Sequence, residues 1–283
     1  MFRIGTLADW FGVGLREGIR QSQRVGAEGV QVYAWNELNP LTVTTGELNE
    51  LKRLAVDCGQ KVTALCGELG GHGLEIQEDN AWRVAYLKKT IDCALTLDCN
   101  VVTTHIGCIP EDKNLPKYRA MLEACGEVAS YAAERGAWLA VETGPEPVAR
   151  LVDFIGACPK GLAVNYDPAN LVMVTGDDEV QGVYTAGKLI VHTHAKDGKC
   201  NKRVGAEVFY GVFADGGVEA LREADMATEY PLGQGDVRWE AYLNALRDVG
   251  YDGFLTIERE VGENAGADIA LAVGFLQEAI AGM

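Results

Sequence analysis

Five short stretches of this 283-residue chain end an apolar, β-branched run in groups able to bind a metal or move a proton. They are Thr104-His105-Ile106-Gly107, Val141-Glu142-Thr143-Gly144, Asn165-Tyr166-Asp167-Pro168, His192-Thr193-His194-Ala195-Lys196-Asp197 and Thr256-Ile257-Glu258-Arg259-Glu260. Glu142, Asp167, His194 and Glu258 together make an oxygen-rich set of three carboxylates and one imidazole. Carboxylates crowded at low dielectric repel one another, and a divalent cation is the natural way to hold them ionised. Such donors suit Mn2+ first, with Mg2+ or Co2+ next, rather than the thiolate sites that select structural zinc.

These residues can act together only if the chain folds them to one place. Eight short apolar runs recur along it: 2–7, 29–34, 62–67, 101–106, 138–143, 162–167, 189–196 and 254–258. Amphipathic patterns separate them, such as Leu48-Leu51-Leu54-Ala55 and Met121-Leu122-Val128-Ala129-Ala132. Eight strand-helix repeats predict an α/β fold of the (β/α)8 TIM-barrel type, a single domain over residues 1–283. A doubly wound sheet is disfavoured because no G-x-G-x-x-G follows the first strand. One long segment, about 198–235 after the seventh strand, reads as an irregular insertion over the barrel mouth.

Active sites of such barrels lie at the C-terminal ends of the strands, where side chains alternate inward and outward. Placing Val141, Tyr166, Thr193 and Ile257 outward turns Glu142, Asp167, His194 and Glu258 inward together. Parity puts Lys196 with His194, as a cation facing either a negative intermediate or a neighbouring Asp167 or Asp197. His105 is expected at the mouth, while His192, one residue pair deeper, is a core histidine or a substrate contact. His72, in Gly70-Gly71-His72-Gly73, is a solvated loop residue or a substrate contact. Trp10 and Trp35, near Phe11 and Tyr33, could offer apolar faces to a sugar.

Composition narrows the partners. The 25 Lys and Arg against 41 Asp and Glu give a net charge of −16, and the mean hydropathy is −0.02. So acidic a body repels polyanions, which argues against nucleic acid and anionic membrane. The eight cysteines form no C-x-x-C and read as buried thiols of a reduced compartment. No apolar run approaches the length of a membrane span, and the expected location is the cytoplasm.

Segments around the four ligands carry a resemblance. VETGPEP at Glu142, NYDPANL at Asp167, HTHAKDG at His194, PLGQGDV at Pro231–Val237 and GFLTIERE at Glu258 are similar to the xylose isomerase-like barrel superfamily. Within it they resemble the sugar phosphate isomerase/epimerase group, which includes ketose 3-epimerases and inosose dehydratase. The resemblance spans essentially the whole chain. It implies that these four residues ligate one divalent metal, that Glu142 and Glu258 double as acid and base, and that the protein is a homodimer or homotetramer. Asn170 stands where the epimerases carry a substrate-binding His, and Cys200 where they carry an Arg. Endonuclease IV shares the barrel, but Asn170, the missing D-x-H and the charge exclude it.

The function implied is isomerisation or epimerisation of a ketose or keto-sugar by proton transfer through an enediolate. A metal-dependent lyase or dehydratase acting on a keto-sugar or 3-keto-glycoside is the alternative, and a non-catalytic sugar-binding barrel the third. No Gly-rich loop leads to a Lys, so an unphosphorylated sugar is favoured.

Overall fold

The computed structural model describes residues 2–68, 70–260, 262 and 264–283. Its strands are β1 (Arg3–Leu7), β2 (Gly29–Tyr33), β3 (Lys61–Cys66), β4 (Val101–Thr104), β5 (Trp138–Glu142), β6 (Leu162–Tyr166), β7 (Ile190–Ala195), β8 (Asp197–Cys200), β9 (Ala227–Tyr230) and β10 (Phe254–Ile257). All but β8 and β9 pair in parallel around a closed barrel in the order β1-β10-β7-β6-β5-β4-β3-β2. The helices are α1 (Leu15–Arg24), α2 (Thr45–Asp57), α3 (Asn80–Thr96), α4 (Pro116–Ala133), α5 (Val148–Ala157), α6 (Pro168–Asn170), α7 (Glu179–Ala186), α8 (Ala206–Ala224), α9 (Trp239–Asp248) and α10 (Ala265–Ala281). The expected eight-stranded barrel is therefore present.

Both faces of the barrel strands are covered, so they read as continuous apolar runs. Residues such as Val30, Val32, Leu65, Val102, Leu139, Val164 and Leu255 are wholly buried. Local signals start the helices: Thr44 and Glu47 form a reciprocal capping box on α2, and Pro116 opens α4. At the bottom of the barrel Gly29 leaves room for its neighbours. A Cβ there would stand 2.6 Å from both the Phe254 ring and Thr63 Cγ2.

Three boundaries differ from the sequence expectation. The fourth strand stops at Thr104, leaving His105 in the loop beyond it. The helix expected from about Asp236 starts at Trp239, because Asp197 accepts the backbone N–H groups of Gly233 and Val237 and holds that stretch in a loop. The segment 198–235 is not irregular. β8 and β9 pair antiparallel, Asp197 opposite Tyr230 and Cys200 opposite Ala227, and α8 lies between them, bent at Gly217 (φ 65°, ψ −161°). Gly211, Gly216 and Gly217 disguise the helix, since glycine is the poorest helix former after proline. No helix among the described residues is long and apolar enough to cross a membrane, and all eight cysteines are free, six of them buried.

Candidate active site

Register across four adjoining strands assembles the site. Glu142 pairs with Asn165, Tyr166 with Thr193 and His194 with Thr256, so Asp167 and Glu258 each emerge one residue above their strands. One ligand atom from each of Glu142, Asp167, His194 and Glu258 lies within 4.8 Å of all the others. His194 Nδ1 stands 3.1 Å from a Glu258 oxygen, 3.5 Å from Glu142 and 3.8 Å from Asp167. All four side chains are buried.

Each is aimed by a specific partner. Asp167 Oδ1 accepts the N–H groups of Ala169 and Asn170 at 2.8 and 3.1 Å, capping α6. Its Oδ2, also buried, has no hydrogen-bond partner. His194 Nε2 donates to Gln31 Oε1 at 3.0 Å, and Gln31 donates in turn to Thr103. A proton fixed on Nε2 leaves Nδ1 free to ligate, and Nδ1 is likewise buried without a hydrogen bond. The Glu142 oxygens accept from the Asn165 and Asn170 amides at 3.0 and 2.9 Å. Two orphaned donor atoms, three carboxylates and one imidazole facing a common point fit one divalent cation.

Two cations flank this group. His105 Nδ1 lies 3.1 Å from Glu68 Oε2, which also accepts the His105 backbone N–H. Its Nε2 is buried without a hydrogen-bond partner, 3.8 Å from Glu142. Burial opposes charge on this imidazole, but Glu142 and Glu68 outweigh it and raise its pKa to about 9. Lys196 Nζ lies 3.1 Å from Glu258 and 2.5 Å from Glu260, rather than pairing with Asp167 or Asp197. Burial opposes its charge too, yet Glu258 and Glu260 hold it protonated. Burial likewise opposes ionisation of Glu258 and Glu142. His194 and Lys196 nevertheless keep Glu258 below the usual carboxylate range, and His194 and His105 do the same for Glu142.

Of the two open alternatives for His192, the structure shows the core one. Its Nδ1 donates to Asn165 Oδ1 at 2.8 Å and its Nε2 accepts from Thr256 at 3.1 Å. Burial, then His194, push its pKa well down, so it stays neutral.

A cavity of about 310 Å³ opens above the cluster. His105, Glu142, Asn170, Lys196 and Glu258 line it, with Tyr33 and Cys66 from the ends of β2 and β3. Trp10 and Trp35 lie outside that lining. Trp35 stacks on Tyr33 with centroids 4.3 Å apart and donates to Asp9, while Trp10 packs edge-on against Tyr33. Both therefore touch Tyr33, which itself lines the cavity. His72 is half exposed, 3.7 Å from Asp215 of α8, and lines a neighbouring cavity of about 180 Å³. Gly144 (φ 149°) lets Tyr210 of α8 approach, since a Cβ there would clash with Tyr210 Oη and stand 2.9 Å from Asn170 Cβ.

Three supporting residues, Gln31, Glu68 and Asn165, were not singled out from the sequence, and a fourth, Asp197, was named there only as a possible partner of Lys196. Asp197 accepts from Gly198, Gly233, Val237 and the Trp239 indole, fastening the PLGQGDV loop to the start of β8. Inward parity could have found Gln31 and Asn165; nothing in the spacing marks Glu68.

Fold and cluster together define a class. Residues 19–279 match the xylose isomerase-like TIM barrel family, and the chain belongs to it. Among solved structures it is similar to a xylose isomerase domain protein from Planctomyces limnophilus, with 28% identity, a TM-score of 0.79 and coverage of 98% of this chain and 96% of that one. It is also similar to D-psicose 3-epimerase from Clostridium cellulolyticum H10, at 16% identity, TM-score 0.72 and 98% and 99% coverage. A probable 3-DHS dehydratase from Bacillus anthracis matches at 17% identity, TM-score 0.75 and 98% and 99% coverage. No curated protein matches the chain.

Proposed function

We propose that this protein is a divalent-metal-dependent isomerase or epimerase of a ketose or keto-sugar. The observation that carries this reading is the placement of Glu142 and Glu258 at the two ends of a four-strand arc, β5-β6-β7-β10, with Asp167 and His194 between them. A cation held by these four would act as a Lewis acid, lowering the cost of removing the proton beside a chelated carbonyl. Glu142 and Glu258 are the acid/base pair: one carboxylate takes the proton from its side and the other returns a proton from the opposite side. Asn165 and Asn170 hold Glu142 in place for that transfer. Lys196, beside Glu258, offsets negative charge developing on the substrate oxygens. Tyr210, over Gly144, shields the site from water.

The alternative reaction, elimination of a β-substituent, is favoured by one feature. The unpartnered His105 Nε2 offers a further proton donor, separate from the two glutamates, for a departing oxygen.

The test is a product assay on chelator-treated protein with and without Mn2+, using ketoses and 3-keto-glycosides. Epimerisation yields an isomer of unchanged mass; elimination yields an unsaturated ketone with new ultraviolet absorbance. Full turnover after exhaustive chelation would overturn metal dependence, and absence of turnover in the Mn2+-loaded protein would favour a binding role. Glu→Gln at 142 or 258 should lower kcat by about 10² or more; a change in KM alone would leave them only as ligands.

A further inference from the structure

We propose that Tyr210 of α8 binds the substrate directly, its hydroxyl donating a hydrogen bond to a substrate hydroxyl on the Glu142 side of the cavity. The β8-α8-β9 segment then completes the site instead of merely covering it. The inference deepens the sugar reading above and rests on it.

Two observations place the phenol. Gly144 stands two residues beyond Glu142, which lies on the floor of the cavity, and a Cβ added at Gly144 would overlap Tyr210 Oη while standing 2.9 Å from Asn170 Cβ. The hydroxyl therefore fills the space that any other residue at 144 would take, beside the side chain that holds Glu142. Second, no group among the described residues hydrogen-bonds to that hydroxyl, although Tyr210 lines both the main cavity and its neighbour. A phenol so enclosed is costly to leave unpaired, and the partner it lacks must come from the cavity.

The other donors around Glu142 are already committed. The Asn165 and Asn170 amides donate to its two oxygens, and Asn170 Nδ2 also reaches the Thr143 carbonyl at 3.3 Å. His105 Nε2 faces Glu142 itself at 3.8 Å, and Lys196 is drawn to Glu258 and Glu260. A sugar hydroxyl both donates and accepts. Carboxylates can take its proton, but its oxygen needs a donor, and Tyr210 supplies one.

α8 is anchored well enough to aim that donor. Phe209, next to Tyr210 in the chain, is buried in the core, and their ring centroids lie 5.5 Å apart. Tyr210 also packs against His105, with centroids 5.8 Å apart. Glu207 pairs with Lys117 of α4 at 3.0 Å, but Glu207 is exposed, so that pair adds little. Burial of Phe209 is the main anchor.

The test titrates D-fructose, D-psicose, L-ribulose and 3-keto-D-glucose calorimetrically into the Mn2+-loaded full chain, wild type and Tyr210→Phe. Mn2+ binding and the urea midpoint are measured first and should be alike in the two proteins. The sugar that binds the wild type most tightly should bind Tyr210→Phe about 10- to 100-fold more weakly. Monodeoxy analogues of that sugar are then compared. One of them should bind both proteins equally, which identifies the hydroxyl that Tyr210 meets. Equal binding of the parent sugar by both proteins would overturn the inference. So would a loss that persists in every analogue, the mark of a packing effect of α8. Failure of Mn2+, or of every sugar, to bind the wild type would instead overturn the underlying reading of the site.

Discussion

Gln31 shows how a neutral side chain can govern a group of residues that could hold a metal ion. By holding the Nε2 proton of His194 it chooses which nitrogen faces the carboxylates, so Gln31→Leu should weaken Mn2+ binding about 10- to 100-fold. Competition with a fluorescent chelator measures this, with circular dichroism to show the barrel intact. Glu68 has the corresponding role for His105. Glu68→Gln should lower kcat about tenfold or more while Mn2+ affinity stays unchanged; an equal change in both would make Glu68 part of the metal cage instead. The difference in legibility between these residues and the four candidate ligands is physical. Glu142, Asp167, His194 and Glu258 each follow an apolar run at the same parity, and ionisable groups in that position are costly without a purpose. Gln31 carries no charge and sits mid-strand, while Glu68 acquires meaning only from His105, 37 residues away in sequence.

At the scale of elements, the eight barrel strands were legible because burial on both faces writes uninterrupted apolar runs. The β8-α8-β9 segment was not, because its strands are short and polar, its helix is rich in glycine, and its strand pairing spans a whole helix. Its attachment depends on Asp197, whose carboxylate serves four donors. Asp197→Ala leaves buried N–H groups unpaired and should destabilise the protein by about 3 kcal/mol or more, seen as a lower denaturation midpoint in urea. Gly144→Ala makes a local test of how α8 meets the floor. A methyl there must displace Tyr210 and Asn170, so KM should rise about tenfold with metal content intact; unchanged kinetics would place Tyr210 outside the working site.

For the whole molecule, ion binding and barrel stability should be linked. A cation at one hundred times its dissociation constant adds about 2.7 kcal/mol to the folded state, enough to raise Tm by several degrees in a thermal melt with Mn2+ against one with chelator. An unchanged melt would speak against the cluster as a metal centre. Closure of the barrel adds a consequence for the order of events. Glu142, Asp167 and His194 lie on successive strands, but Glu258 follows β10, which takes its place only by pairing with both β7 and β1. The full cage therefore exists only once the first and last strands have met. Selection of any metal held here would fall to that assembled group, not to a loose chain that would yield to whichever divalent ion binds most avidly.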